Sequence, residues 1–442
     1  MRQVRLTLRK RIGPDLVGYL ADVGALTASQ VIGGILSFST AAVAASLLGP
    51  AEFGKAVLIM SLPRLLWSLS SVKSFTITTR YVAAAKAKDK KLELSALCRL
   101  SYTIDGFVSV VFLLLVGLCG WLLPTVTISL ELTLAYALSY SFMGLVETSR
   151  AVLSAWERFR WIAGLRIFEN AAKFGLTVLL LRAGAGLAGL VLVTATGHVF
   201  FGAAMFIAAN RVLRRSGHPK WWRTPFRDAR KQRRELALAF SWNYVAASLN
   251  GLLHYLPVLL LGHGGEPEEA GYFRLAVGFV SILSMLGASF TRVLYPKLSA
   301  NWAVGGMREL DETVRKLCIK TGMGLTLYYA VMIPVAPVFI GAVFGTRFEL
   351  AMPTAQILLM GNAASGLLFW TTPYYFARGK IALWTKLHAL RVFCALAMGW
   401  LLYLHLGTTG MALSMALFNF LFLAALLAMR NLARHVASPI EQ

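Results

Sequence analysis

The sequence is poor in charge, above all in negative charge. Only 14% of its 442 residues are Asp, Glu, Lys or Arg, and the 20 acidic residues are outnumbered by 44 basic ones. A soluble chain carries about 25% charged residues, so this composition excludes an ordinary water-soluble globular protein. Cysteine is also scarce. The four cysteines do not have the spacing of a metal or redox motif, and we expect no disulfide, no bound metal and no cofactor.

In place of charge, the sequence has long apolar runs. Hydrophobic residues make up 57% of the chain, and the mean hydropathy is +0.65. The runs approach the roughly 20 residues that a helix needs to cross a bilayer. Only helices and closed barrels satisfy backbone hydrogen bonds in lipid, and the runs are continuous rather than alternating, which favours helices. The first run, residues 24–48, is longer than the roughly 7–15 residues of a signal-peptide core, so it predicts a retained helix.

The runs predict an all-α polytopic membrane protein with about twelve transmembrane helices. With the N-terminus in the cytoplasm, the cytoplasmic segments and the residues just past their edges contain 36 of the 44 Lys and Arg residues. The opposite loops contain only Arg182 and Arg347. This asymmetry follows the positive-inside rule and predicts that both termini are cytoplasmic. A nucleic-acid partner is not expected, because the basic residues are spread over short loops. The predicted spans are 24–47, 54–76, 100–123, 128–149, 165–182, 187–209, 236–261, 271–293, 317–341, 351–375, 388–406 and 410–429.

A basic cytoplasmic linker, residues 211–235, divides the predicted helices into two sets of six. Residues 1–210 form the N-terminal bundle, and residues 236–442 form the C-terminal bundle. An even number of helices in each half gives the halves the same orientation, which predicts two pseudo-symmetric six-helix bundles around a central cavity. Within the linker, Trp221 and Trp222 indicate a segment at the membrane interface. We expect anionic lipids as partners at this face.

Four short motifs carry a family resemblance. They are LLGPAEFG at 47–54, TRYVA at 79–83, AGYFRLA at 270–276 and YPKLS at 295–299. In this order and spacing, the chain resembles the polysaccharide-biosynthesis flippases of the multidrug/oligosaccharidyl-lipid/polysaccharide exporter (MOP) superfamily. The resemblance implies a bacterial inner-membrane protein that moves an undecaprenyl-diphosphate-linked oligosaccharide from the cytoplasmic to the periplasmic leaflet.

The sequence departs from the family pattern at two positions. Lys73 stands where related chains often have a small residue, and Pro257 stands where an acidic residue is common. These departures put any scheme of ion coupling in doubt more than they affect the fold.

Basic residues inside the predicted spans are the candidate site. A charge near the bilayer centre costs about 2.5–3.5 kcal/mol on insertion scales. Arg64 lies ten residues beyond Gly54, or roughly 15 Å at helical rise, which places it near mid-bilayer. No acidic residue lies within four positions of Arg64, so we interpret it as a substrate ligand. Arg274, at the predicted outer mouth, either receives the diphosphate or marks the interface.

Two lysines complete the candidate substrate-binding set of Arg64, Arg274, Lys173 and Lys73. Glu169 precedes Lys173 by four residues and lies on the same helical face. This spacing leaves open a structural ion pair or a part of the site. Lys73 is close enough to the predicted cytoplasmic end of its span for its side chain to reach water.

Two other functions compete with the flippase interpretation. A multidrug or organic-cation antiporter of the same superfamily requires carboxylates in the membrane, whereas the deep charges here are mostly basic. A membrane glycosyltransferase or polymerase requires catalytic carboxylates or histidines on sizeable loops, and the longest predicted outer loop has about nine residues. We therefore expect a transporter rather than an enzyme. Its expected partners are the polyprenyl-diphosphate-linked glycan and the polysaccharide polymerase and chain-length proteins.

Overall fold

A computed structural model describes residues 14–71, 74–122, 128–218, 220–225 and 233–437. These residues are almost entirely α-helical and contain no strand. The helices are α1 Pro14–Ser70, α2 Phe75–Ala87, α3 Lys91–Leu122, α4 Leu130–Ser141, α5 Met143–Ala155, α6 Phe159–Arg182, α7 Gly186–Arg215, α8 Arg233–Gly264, α9 Pro267–Thr313, α10 Ile319–Phe344, α11 Ala351–Leu367, α12 Thr371–Ala377 and α13 Ile381–Ala437. Short helical turns at Trp221–Arg223, Val314–Cys318 and Thr346–Phe348 connect some of them.

Seven helical segments in the described residues are long and apolar enough to cross a membrane. Two of them, Ala28–Ser70 and Ile381–Met429, are about twice the length that one crossing needs. Both are interrupted by a glycine with positive φ, at Gly49 (78°) and Gly407 (59°). Glycine adopts this conformation without a Cβ clash, so the chain changes direction there and each long segment supplies two spans.

The remaining predicted spans coincide with shorter helices. The span at 165–182 corresponds to α6, the span at 128–149 is divided between α4 and α5, and the span at 351–375 is divided between α11 and α12. Large apolar side chains remain exposed on the helices, among them Trp121 and Val338, at 74% and 73%. Lipid is the solvent that accepts such surfaces. The prediction of an all-α polytopic protein with about twelve spans is confirmed.

Two predicted cytoplasmic segments are helical rather than loop-like. α9 continues through most of 294–316 to Thr313, and α2 and α3 occupy most of 77–99. The continuation of α9 is stabilised by burial, since Leu298 and Leu310 are fully buried in an apolar cluster with Tyr374. The hydropathy pattern therefore predicted the ends of the apolar spans but not the ends of these helices, which extend into the predicted cytoplasmic segments.

The chain forms two compact units. Of the described residues, unit 1 comprises those within 14–40, 70–119 and 131–241, and unit 2 comprises those within 41–69, 120–130 and 242–437. The core of unit 1 includes Leu94, Leu153, Met205 and Leu213, which are almost completely buried together with Trp221. The predicted division at residues 211–235 stays a prediction.

Unit 2 contains the second part of α1, which packs tightly against α8 and α9. A Cβ atom built on Gly54 would lie 1.9 Å from the carbonyl oxygen of Pro267, and one on Gly271 would lie 3.2 Å from that of Pro50. The LLGPAEFG segment of α1 and the start of α9, which carries the AGYFRLA motif, therefore contact each other through their backbones. Small residues allow such approaches between membrane helices.

The approach at Gly54 predicts a specific loss of stability. In Gly54→Ala, the added methyl group meets a backbone carbonyl that cannot rotate away, and such overpacking typically costs about 1–3 kcal/mol. The matched control is Gly117→Ala on α3, because a Cβ there meets no atom within 4 Å. We expect thermal unfolding of the purified protein in detergent to shift down for Gly54→Ala only. Equal melting temperatures for the two variants would contradict the observed packing.

Candidate functional site

The packing of α1 against α8 sets the depth of Arg64. Gly262 of α8 approaches Leu58, and Gly251 approaches Ser68, with a built Cβ 2.3 Å and 2.0 Å from the respective side chains. The two helices therefore run antiparallel in this contact. Arg64 lies between Leu58 and Ser68, so it lies opposite the part of α8 that includes His254.

Arg64, His254 and Arg274 form a cluster inside unit 2. Nη1 of Arg274 donates to Nε2 of His254 at 2.9 Å, and both Arg64 and Arg274 interact electrostatically with the His254 ring. A guanidinium group has no acceptor, so Nε2 is the unprotonated nitrogen and the ring is neutral. The cluster therefore brings two positive charges close to one neutral acceptor within membrane-spanning helices.

The Arg64 side chain extends along its own helix. Its Nη2 atom lies 3.9 Å from Sδ of Met60, one turn earlier. All three members of the cluster are partly exposed rather than buried. A guanidinium group with this exposure can exchange its present contacts for the oxygen atoms of an anion, which it can bind through two parallel hydrogen bonds.

Lys173 is held by a carboxylate in unit 1. Its Nζ atom lies 2.7 Å from Glu169, and the two side chains are only 19% and 8% exposed. The aliphatic stem of Lys173 packs over Gly197 of α7, where a built Cβ would lie 2.5 Å from Cδ. This geometry supports the interpretation of a structural pair, and a role of Lys173 in substrate binding stays a prediction. Lys73 lies outside the described residues.

A second polar network in unit 2 was not predicted. Arg391 of α13 donates to Oδ1 of Asn419 at 2.8 Å. Asn419 in turn donates to the carbonyl of Gly361 at 2.9 Å. His388, almost completely buried, lies with Nε2 3.2 Å from Oδ1 of Asn250. Hydropathy gave no signal for these contacts, because they join residues distant in the sequence.

Asp105 is a carboxyl group in the interior of unit 1, where its side chain is buried. Ser74 donates to Oδ1 at 3.0 Å, and Thr148 donates to Oδ2 at 2.5 Å. Two hydroxyl donors from different helices therefore compensate part of the desolvation of this carboxyl group.

The linker is anchored to unit 1 just after α7. Trp221 is buried and donates to Oδ1 of Asn210 at 3.1 Å, and Arg99 donates to the carbonyl of Thr224 at 2.7 Å. Trp222 remains exposed, with Arg214 5.6 Å from its ring. The position of this segment at the membrane interface stays a prediction.

The fold is similar to that of solved membrane transporters, among them members of the MOP superfamily. A MATE family multidrug resistance transporter in its inward-facing conformation aligns with a TM-score of 0.73 at 13% identity, over 92% of this chain and 96% of the other. The lipid II flippase MurJ, in an inward closed conformation, aligns with a TM-score of 0.72 at 14% identity, over 92% and 87%. A MOP superfamily transporter from Pyrococcus furiosus aligns with a TM-score of 0.65 at 14% identity, over 95% and 96%.

Family membership is shown by the sequence, independently of the fold. Residues 19–302 match the model of the polysaccharide biosynthesis protein family, and this range is more than half of the chain. The chain is a multi-pass membrane protein that belongs to this family, as the motifs predicted. No curated protein sequence matches it.

The Lys173–Glu169 pair yields a prediction that separates structure from substrate binding. Lys173→Met leaves a buried carboxylate without its partner, which costs about 3–5 kcal/mol for buried pairs. We expect the lower end, since Arg166 also attracts Glu169. The double variant Lys173→Met/Glu169→Gln removes both charges, and we expect thermal unfolding in detergent to return close to wild type. Export by the double variant is the second readout. If its stability is restored but export is lost, Lys173 belongs to the site.

Proposed function

We propose that this protein moves an undecaprenyl-diphosphate-linked oligosaccharide from the cytoplasmic to the periplasmic leaflet of a bacterial inner membrane by alternating access. The observation that carries the proposal is the cluster of Arg64 and Arg274 at His254. Membership of the polysaccharide biosynthesis protein family supports it. Both termini are then cytoplasmic, and the polymerase and chain-length proteins of the same pathway are the proposed partners.

The chemistry of the cluster suits a diphosphate. Guanidinium groups stay charged at any working pH and bind phosphate oxygens through paired hydrogen bonds. A diphosphate entering the membrane loses its hydration, and cationic side chains replace part of what it loses. The anion in turn compensates two positive charges that are costly in a bilayer. The oligosaccharide would occupy hydrated space, while the polyprenyl chain stays in a hydrocarbon environment.

The alternative is an organic-cation antiporter with the same fold. MATE transporters align with this chain as well as MurJ does, and the buried carboxyl group of Asp105 is the kind of group that such a function needs. The polarity of the cluster in unit 2 favours the anion. In the Pyrococcus furiosus transporter, a reversed polarity of the binding pocket suggests a different function for that protein.

Export in cells tests the proposal. In a strain lacking the wild-type protein, Arg64→Gln should reduce polymer production more than tenfold, because it removes a charged donor to the diphosphate, and a hydrogen bond to a charged group contributes about 1.5–3 kcal/mol. The tailed diphosphate precursor should accumulate on the cytoplasmic side. Lys55→Gln is the matched control, since Lys55 lies on the same helix and pairs with Glu52 at 2.8 Å. Normal polymer from Arg64→Gln at wild-type protein levels would overturn the assignment of this residue.

A further inference from the structure

Unit 2 contains a groove that begins one helical turn after Arg274 on α9. It has a volume of about 340 Å³ and is lined by α9 from Val277 to Ala288, by Leu358 and Asn362 of α11, and by Met415 of α13. Ligand pockets have volumes of about 300–1,000 Å³. The groove therefore has room for part of a ligand and not for a whole lipid.

The groove follows the face of α9 that begins with Arg274. The side chains that line it recur at steps of three or four residues, which places them on one side of a helix. Arg274 comes one such step before the first of them. From Arg274 to the far end of the groove is fourteen residues, or roughly 21 Å at helical rise. The residues on this face are Arg274, Val277, Ser281, Ser284 and Ala288.

The opposite face of α9 carries large exposed side chains. Leu286 and Phe290 are each 43% exposed, and they lie on the other side of the helix from Ser281 and Ala288. Exposed leucine and phenylalanine at this depth are the groups that contact lipid. The groove is therefore on the side of α9 that faces away from its lipid-contacting side chains.

The polar atoms of the groove are already engaged with the protein. The Ser281 hydroxyl donates to the carbonyl of Val277 at 2.6 Å. Ser284 donates to the carbonyl of Val280 at 2.8 Å and lies 3.2 Å from Oδ1 of Asn362. Asn362 donates to the carbonyl of Leu358 at 2.9 Å. A sugar needs several polar partners, whereas a hydrocarbon chain needs only the methyl, methylene and thioether groups that remain.

We propose that this groove binds the isoprene units next to the diphosphate of the transported lipid. The inference rests on the proposed function, because it assumes that the diphosphate lies at Arg64 and Arg274. One face of α9 then binds successive parts of the substrate. Its cationic side chain binds the diphosphate, and the apolar groove that follows binds the start of the polyprenyl tail. The far end of the polyprenyl chain leaves the groove and enters the bilayer.

A pair of tryptophan variants on α9 tests the groove. Ala288→Trp fills it with a large ring, and Leu286→Trp, the matched control, adds the same side chain on the lipid-facing side. Both positions are exposed, so each variant should fold, which thermal unfolding checks. Binding to the purified protein is measured with two probes, a polyprenyl-diphosphate-linked N-acetylglucosamine and inorganic pyrophosphate. The first has a tail and the second does not.

The two probes distinguish the groove from the diphosphate site. We expect Ala288→Trp to weaken binding of the tailed probe at least tenfold, to leave pyrophosphate binding unchanged and to differ from Leu286→Trp. Equal binding of the tailed probe by both variants would overturn the groove assignment and leave the proposed function standing. Native mass spectrometry gives a second readout. A phospholipid that binds the wild type, is absent from Ala288→Trp and is not displaced by the tailed probe would also overturn the groove assignment and leave the proposed function standing. If the wild type binds neither probe, the proposed function fails, and the groove assignment fails with it.

Discussion

Positive charge inside hydrocarbon is the constraint on which this account depends. A guanidinium group in a membrane-spanning helix is costly unless it meets water, a counter-charge or a polar partner. Arg274 donates to His254, and Arg64 lies close enough to interact with the same ring. A neutral imidazole accepts a hydrogen bond but neutralises no charge, so His254 leaves the positive charge of the two arginines in place. A bound anion stabilises the cluster further, which is why a diphosphate suits this position better than an organic cation does.

Close helix packing in unit 2 holds this cluster in place. Lipid tails are as apolar as the side chains that face them, so the hydrophobic effect does not drive helices together in a membrane. Close packing and hydrogen bonds stabilise their association instead. Gly251 and Gly262 let α8 approach the second part of α1 at two positions along its length. Gly54 and Gly271 let the start of α9 approach the same part of α1. Arg64 and His254 lie between these contacts. These four glycines, of which Gly54 and Gly271 belong to the family motifs, thus set the position and the partner of the charged group, although they carry no chemistry of their own.

The fold was predictable from the sequence and much of the site was not. Apolar runs and the asymmetry of Lys and Arg are local signals, and they were enough for the membrane class and for about twelve spans. Four short motifs were enough for the family. They also singled out Arg64, because a lone charge in an apolar run is visible without a structure. The role of His254, the burial of Asp105 between Ser74 and Thr148, and the contact of Arg391 with Asn419 depend on helices distant in the sequence. Helix ends were also missed, since Leu298 and Leu310 prolong α9 through packing rather than hydropathy.

The most direct test is whether the ligand that the purified protein binds is an anion or a cation. Calorimetric titration in detergent with inorganic pyrophosphate, and separately with a lipophilic organic cation, compares the two functions that this fold supports. We expect saturable pyrophosphate binding that disappears in the double variant Arg64→Gln/Arg274→Gln, and no saturable binding of the cation. Saturable binding of the cation alone, unchanged in the double variant, would show that the cluster does not bind an anionic substrate.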